Sequence, residues 1–379
     1  MPEAVIVSAL RTPIGTAVKG TLRDTSAYDL ADHVVRAAAA EVDPALIDDV
    51  VLGEGLHGGG VIARHAAITA GLTTVPGLAH NRHCAAGQAA VQSAAASIRA
   101  GMDRLVLAGG VNSASTAPRS RVRAGEDWVD WLPPTHPDRP DAPNKDMSIT
   151  VGWNAARAAN VTREEMDAWA LRSHRNAIHA IDEGRFKEEI VAIDTPHGVF
   201  DTDEHPRRDT SMERLASLRV LHPEIAGFSI TAGNASGAND AAALLGVASA
   251  DLGLPALATV RSWASVGVDP AETGLAPVGA IRKALDRGGL TLADVDLFEI
   301  NEAFAAMVVA TNRILGIDPD LVNVNGSGCS LGHPVAATGA RMLVTLIYEL
   351  RRRGGGIGVA AMCAGGGMGS ATVIEVPAP

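Results

Sequence analysis

The chain has 379 residues, 47% hydrophobic but only 3% aromatic, with 40 glycines, three cysteines and a formal net charge of −11. That length allows about two domains of roughly 100–200 residues each, around a core that must be aliphatic. The acidic balance excludes a general nucleic-acid binder, which needs a basic face, and three widely spaced cysteines fit neither a disulfide scaffold nor a Cys-x-x-Cys zinc site.

Ala4–Val7 predicts a short opening strand. No charged-then-apolar leader precedes it, and no apolar run approaches the roughly 20 residues that span a bilayer. With so few cysteines a reducing compartment follows, so a soluble, cytoplasmic protein is expected. A helix is predicted from about Ser26 to Ala40, with Leu30, Val34, Ala37 and Ala38 on one face and Thr25 as its cap. Strands at Asp49–Gly53 and Arg104–Ala108 bracket a second helix from about Cys84 to Arg99. From about 118 to 222 the regularity fails. Six prolines between Pro118 and Pro143 punctuate a stretch that holds Trp128 and Trp131. Charged helices follow, among them Arg163–Gly184, with Thr162 as cap and Glu164 and Glu165 in the first turn.

From about 223 the alternation returns. A strand ends at Glu299-Ile300, and a helix Asn301–Leu315 turns Phe304, Met307, Val308, Thr311 and Ile314 inward, with Asn301 as N-cap and Glu302 in the first turn. A helix Ala336–Arg352 buries Leu343, Ile347 and Leu350, and strands are predicted at Ile357–Met362 and Ala371–Glu375. Strands alternating with helices imply a layered α/β architecture with much parallel sheet. The two regular halves share one grammar: a turn with a reactive residue, a helix, a strand and a Gly-Gly turn. The expected division is an N-terminal half, residues 1–117 with 223–253, an inserted region, 118–222, and a C-terminal half, 254–379.

Three glycine-rich turns carry groups fit for thioester chemistry. Cys84 lies where a helix begins, and a helix N-terminus favours a thiolate. His333, between Gly332 and Pro334, is held in a turn where an imidazole can serve as base. Cys363 precedes Gly365-Gly366-Gly367, whose backbone N–H groups can form an oxyanion hole. Asn301 could hold a water as well as cap a helix. Taken singly, each is equally readable as an ordinary structural residue: a small buried thiol, a loop histidine, a strand-end cysteine, a helix cap. His80 and His83 beside Cys84 lack a fourth ligand for a metal. Arg119, Arg121 and Arg123 read as a solvated edge, and Gly326-Ser327-Gly328 lacks the spacing of a dinucleotide loop, so no nicotinamide is expected.

Together and in order, these segments resemble the thiolases, the acetyl-CoA acetyltransferase and 3-ketoacyl-CoA thiolase family, over nearly the whole chain. The likeness rests on Ser8 to Gly15, Asn81 to Gly87, Ala108-Gly109-Gly110 with Ser113, and Thr231 to Gly237. It continues through Ser262 to Pro270, Asn301 to Ala305, Gly332-His333-Pro334 with Thr338 to Arg341, and Cys363 with its glycines. The resemblance implies two thiolase-type halves with a loop domain over the active site, a homodimer or homotetramer, and acyl-CoA and CoA as substrates and products, with no cofactor, metal, nucleic acid or membrane. It implies ping-pong acyl transfer in fatty acid metabolism. Cys84 is then the nucleophile, His333 its base and Cys363 the acid/base at the alpha carbon. A water on Asn301 with His333 forms one oxyanion hole, and the N–H groups of Cys84 and Gly365 form the other. Ser236, Met147 and Phe304 are expected beside the coenzyme and acyl group. Three segments depart from the family wording: Asp146-Met147-Ser148 stands in place of His-Met-Gly, Thr273-Gly274-Leu275-Ala276-Pro277 in place of Met-Gly-x-Gly-Pro, and the proline-rich Pro133–Pro143 is unlike the family's tetramerisation loop. A condensing enzyme of the same fold and a non-catalytic acyl-CoA-binding module are the alternatives. A histidine at 363 would favour the first, and loss of the nucleophile or base the second.

Overall fold

The computed structural model describes residues 2–57, 59–196 and 198–378. Met1 and Pro379, the outer ends of the first and last expected divisions, lie outside the described residues. The chain begins with β1 (Ala4–Arg11), β2 (Gly15–Thr16), α1 (Ala27–Ala40), β3 (Asp49–Gly53), α2 (Ile62–Thr69), β4 (Gly77–His80), α3 (Ala86–Ala100) and β5 (Leu105–Ser113). An excursion follows: β6 (Ser120–Ala124) and β7 (Asp127–Trp131), then α4 (Asn154–Ala158), α5 (Arg163–Asp182), β8 (Ile193–Thr195), β9 (Gly198–Phe200) and α6 (Met212–Ala216). The chain then re-enters the sheet with β10 (Asn239–Ser249), β11 (Ala258–Gly267), α7 (Ala276–Gly288), β12 (Leu297–Ile300), α8 (Ala305–Leu315), α9 (Thr338–Arg352), β13 (Gly356–Ala364) and β14 (Met368–Val376).

The main sheet runs β12-β13-β14-β11-β1-β10-β5-β3-β4, with β2 paired to β10. Only β4–β3–β5 and β12–β13 are parallel. Every other neighbouring pair is antiparallel, so the sheet is mixed where the alternation of elements suggested mostly parallel pairing. The excursion is the reason: it returns the chain as β10, which enters antiparallel between β1 and β5. The two halves of the sheet meet where β1 and β11 share two residue pairs, Val5 with Thr259 and Ile6 with Ala258.

The layers follow from which faces are apolar. Helices α1 and α2 cover one face of the first half-sheet, with Leu30, Val34 and Val35 fully buried. Helices α3 and α9 fill the middle and share a core with residues of both half-sheets. Helices α7 and α8 cover the outer face of the second half-sheet, together with α4 and α5 of the excursion. Covered on both sides, β5 and β10 are buried from end to end.

Several boundaries differ from expectation. Helix α1 is capped by Ser26, which accepts from the Asp29 N–H in a reciprocal capping box, not by Thr25. The expected cap on α5 holds: Thr162 and Glu165 form the same box. Helix α8 starts at Ala305 with Phe304 at the N-cap, so Asn301 and Glu302 are not in its first turn. Ile314 on that helix is 41% exposed, off the inner face.

Candidate active site

Cys84 sits in the short segment between β4 and α3. The Asn81 side chain accepts the His83 N–H at 2.9 Å, and Ala85 and Ala86 bond back to the carbonyls of Arg82 and His83. His83 is left at φ +45, a left-handed conformation uncommon outside glycine. This elbow is tied across the molecule: the Arg82 guanidinium donates to Ser265 Oγ of β11 at 2.7 Å. Helix α3 adds Gln88 to the Ala360 carbonyl of β13 and Gln92 to Ser370 of β14.

The backbone N–H groups of Gly365 and of Cys84 itself lie by the Cys84 sulfur and favour its thiolate. Burial nevertheless dominates and pushes its thiol above the usual value. The expected lowering by a helix N-terminus is therefore overturned. α3 begins two residues later, and loss of water outweighs what its N-terminus supplies. Such a thiol needs a base.

His333 is 6% exposed. Its backbone N–H donates to Asn239 Oδ1 at 3.0 Å, and Gly332 before it has φ +100. The Thr338 hydroxyl donates to the Pro334 carbonyl at 2.9 Å and lies 2.7 Å from His333 Nδ1. With the hydroxyl proton engaged on Pro334, Thr338 accepts from Nδ1–H, which leaves Nε2 as the unprotonated nitrogen. Burial, followed by the nearby Arg341 cation, lowers the His333 pKa to about 4, so the ring is a neutral base near pH 7.

Asn301 lies beside this ring, its Nδ2 3.5 Å from both ring nitrogens, at the long limit for a hydrogen bond. Its Oδ1 is buried and has no protein partner, which suits a bound water. The neighbouring Glu302 is a buried hub, accepting from Trp169 Nε1, Ser173 Oγ, Asn323 Nδ2 and the Cys329 N–H.

Cys363 ends β13, 2% exposed, with its sulfur 3.6 Å from Met307 Sδ. Burial first, and then the nearby Cys84 sulfur, raise its pKa strongly. The structure thus joins Cys84, Gly365 and Cys363 in one cluster, and His333 with Asn301 in another. The two clusters adjoin through backbone: a Cβ on Gly87 would lie 2.6 Å from the Ala336 carbonyl, and one on Gly110 would lie 2.0 Å from it.

Phe304 belongs to the same apolar cluster as Cys363, with Met147 packed on its edge. The Phe304 ring also presses on Gly152, where a Cβ would come within 2.9 Å. Ser236 adjoins this segment, its backbone N–H donating to the Ala303 carbonyl at 3.0 Å, and it lines a cavity of about 480 Å³ shared with Gly237, His174, His205, Arg207 and Cys329. Sequence reasoning missed this basic lining. Arg207, Arg208, Arg214 and Arg219 fall within thirteen residues of an acidic chain, and that clustering was the available signal. Thr338 and Asn239 were also missed as supports of the imidazole, since a threonine in a helix and an asparagine opening a strand carry no local mark of that role.

Residues 4–251 match the family model "Thiolase, N-terminal domain" and residues 254–376 match "Thiolase, C-terminal domain". The chain is 42% identical to an acetyl-CoA acetyltransferase of Escherichia coli strain K12, with 99% of each chain covered. It is also 42% identical to an acetyl-CoA acetyltransferase of Pseudomonas aeruginosa, with the same coverage. Among solved structures it is similar to the Bacillus anthracis acetyl-CoA acetyltransferase, with a TM-score of 0.89, 39% identity and 99% of each chain covered. It is similar as well to human mitochondrial 3-ketoacyl-CoA thiolase in complex with CoA, with a TM-score of 0.91, 34% identity, and 99% of this chain and 98% of that one covered.

Proposed function

Because the chain belongs to the thiolase family, and is an acyltransferase, we propose that its chemistry runs through Cys84, His333 and Cys363 on coenzyme A thioesters. His333 Nε2 takes the Cys84 proton. The sulfur attacks the acyl carbonyl, and the N–H groups of Cys84 and Gly365 receive the oxyanion. Collapse expels the coenzyme thiolate, which takes the Cys363 proton and leaves that sulfur as a thiolate, while His333 keeps the proton from Cys84. Acylation also removes the neighbouring sulfur charge that raises Cys363. Cys363 then accepts a proton from the alpha carbon of a second acyl-CoA, and the enolate is held by His333 and by a water on Asn301. The carbanion attacks the acyl group on Cys84, whose sulfur leaves and recovers its proton from His333, and a 3-oxoacyl-CoA results. Thiolysis is the reverse. An unaided thioester alpha carbon is a weak acid, and each oxyanion donor contributes about 3–4 kcal/mol toward its enolate.

The carrying observation is that one backbone N–H, that of Gly365, meets the Cys84 sulfur in the turn that follows Cys363. Coenzyme A enters as substrate and leaves as product. Its long arm fits the cavity beside Ser236, where Arg207 and Arg214 suit phosphates. Phe304 and Met147 face the acyl group. Phe304 packed on Gly152, together with the named activity of the relatives at 42% identity, favours a two-carbon acyl unit. The division into residues 1–117 with 223–253, 118–222 and 254–379 carries over as the functional plan: nucleophile half, cover, and base half. No helix among the described residues is long and apolar enough to cross a membrane, and a cytoplasmic homo-oligomer working in fatty acid metabolism is the reading adopted.

Acetyl-CoA should leave an acetyl group on the wild-type protein, detected by rapid quenching and mass spectrometry. Cys84→Ala should abolish the adduct, while Cys363→Ala should form it and fail to condense. A Cys84→Ala protein with full turnover would reject the assignment. Acetoacetyl-CoA assayed against longer 3-oxoacyl-CoA with free CoA tests the preference for short chains.

A further inference from the structure

Gly365, Gly366 and Gly367 join β13 to β14, and their position decides where the Gly365 N–H points. Gly366 and Gly367 have φ +85 and +75, a region glycine enters freely, so the turn has no intrinsic reason to hold one shape. Beyond the β13–β14 ladder, which closes the turn at Ala364 with Met368, its restraints come from the segment before α7. The Val268 N–H donates to the Gly367 carbonyl at 2.7 Å. The Thr273 hydroxyl, fully buried, donates to the Pro270 carbonyl at 2.6 Å and accepts the Gly367 N–H at 3.1 Å. Gly367 is therefore gripped at both its N–H and its carbonyl, two residues from the N–H that meets Cys84. Thr135 closes the other side: its Cγ2 is 3.0 Å from where a Gly365 Cβ would lie, and its carbonyl oxygen 2.6 Å from that of Gly366.

We propose that Thr273 is a positioning residue for the thiolase reaction, its hydroxyl fixing the Gly365–Gly367 turn so that the Gly365 N–H meets the oxyanion forming on Cys84. Thr273 exchanges no proton and touches no reacting atom. It acts by holding a donor still, the preorganisation on which oxyanion stabilisation depends. A methionine, which the family wording Met-Gly-x-Gly-Pro places here, has no hydroxyl with which to accept the Gly367 N–H. The inference rests on the assignment of Cys84 and Gly365 above.

The test compares Thr273→Val, which keeps the shape and deletes the hydroxyl, with Thr273→Ser, which restores it. Loss of a whole oxyanion donor costs about 10²–10³ in kcat, so a donor that is only loosened should cost at least ~10-fold. Thr273→Val should therefore slow both Cys84 acetylation by acetyl-CoA and kcat for acetoacetyl-CoA thiolysis by at least ~10-fold, with KM within about twofold, because binding of the coenzyme arm is untouched. Thr273→Ser should regain most of the rate. A merely structural threonine would lower the melting temperature and leave the folded protein's kcat unchanged. Thr273→Val acetylating at the wild-type rate, or Thr273→Ser no faster than Thr273→Val, overturns the proposal. If Thr273→Val does not fold, Thr273→Ala carries the same comparison. Failure of the wild-type protein itself to acetylate would instead strike the underlying assignment.

Discussion

At the scale of single residues, protonation is set by burial more than by neighbours. His333 and His174 are both lowered from 6.5 to about 4, His333 by burial and then Arg341, His174 by burial and then His205 and Arg207. Between those values the unfolded chain binds protons that the folded chain does not. Their contribution to stability is therefore complete above pH 6.5 and is lost as pH falls toward 4. On the order of 2–3 kcal/mol per histidine is at stake. Urea unfolding at pH 7.5 and 4.5 measures it, and equal free energies at the two would contradict the assignment. Thr338→Val removes the acceptor that keeps the His333 proton on Nδ1, so kcat should fall by roughly 10²-fold in a protein that still melts cooperatively; a wild-type kcat would show that Thr338 does not choose the nitrogen. The residues proposed as reactive stand out in the sequence, since Cys84, His333 and Cys363 each lie in a glycine-rich turn. Their supports do not. Asn239 and Thr273 bond residues distant in sequence, and Thr338 bonds the imidazole five residues before it across a turn, which no local pattern announces.

Elements were readable where their own residues decide them. The apolar face of α1 and the capping box of α5 follow from spacing and side-chain chemistry, and both are present. Expectation failed where tertiary contacts decide. Asn301 looks like a helix cap from its neighbours, but the β12 register spends its backbone N–H on the Ala361 carbonyl and turns its side chain to His333. At α1 two candidate caps stand side by side, and Ser26 takes the role. Ser26→Ala should lower unfolding free energy by about 1 kcal/mol, and Thr25→Ala by less than about 0.5. Equilibrium denaturation of the pair decides, and equal losses would return the cap to Thr25.

For the molecule as a whole, alternation of strands and helices gave away a layered α/β protein, but not the antiparallel joins, because the excursion of residues 118–222 hides where β10 re-enters. Strand β4 is the last in the sheet order, with Leu78 48% exposed and Ala79 exposed. An open edge of this kind favours pairing with a second copy. Leu78→Lys should shift the protein toward monomer in light scattering, and an unchanged mass would place the interface elsewhere. The layer of α3 and α9 holds a further consequence. Where Gly87 and Gly110 meet the carbonyl of Ala336, polypeptide rests directly on polypeptide with no side chain between. That contact works as a pair of calipers, setting the gap across which, in the proposed mechanism, sulfur and imidazole trade a proton. A single methyl there would open the jaws, and the damage would register as slowed turnover well before it registered as an unfolded protein.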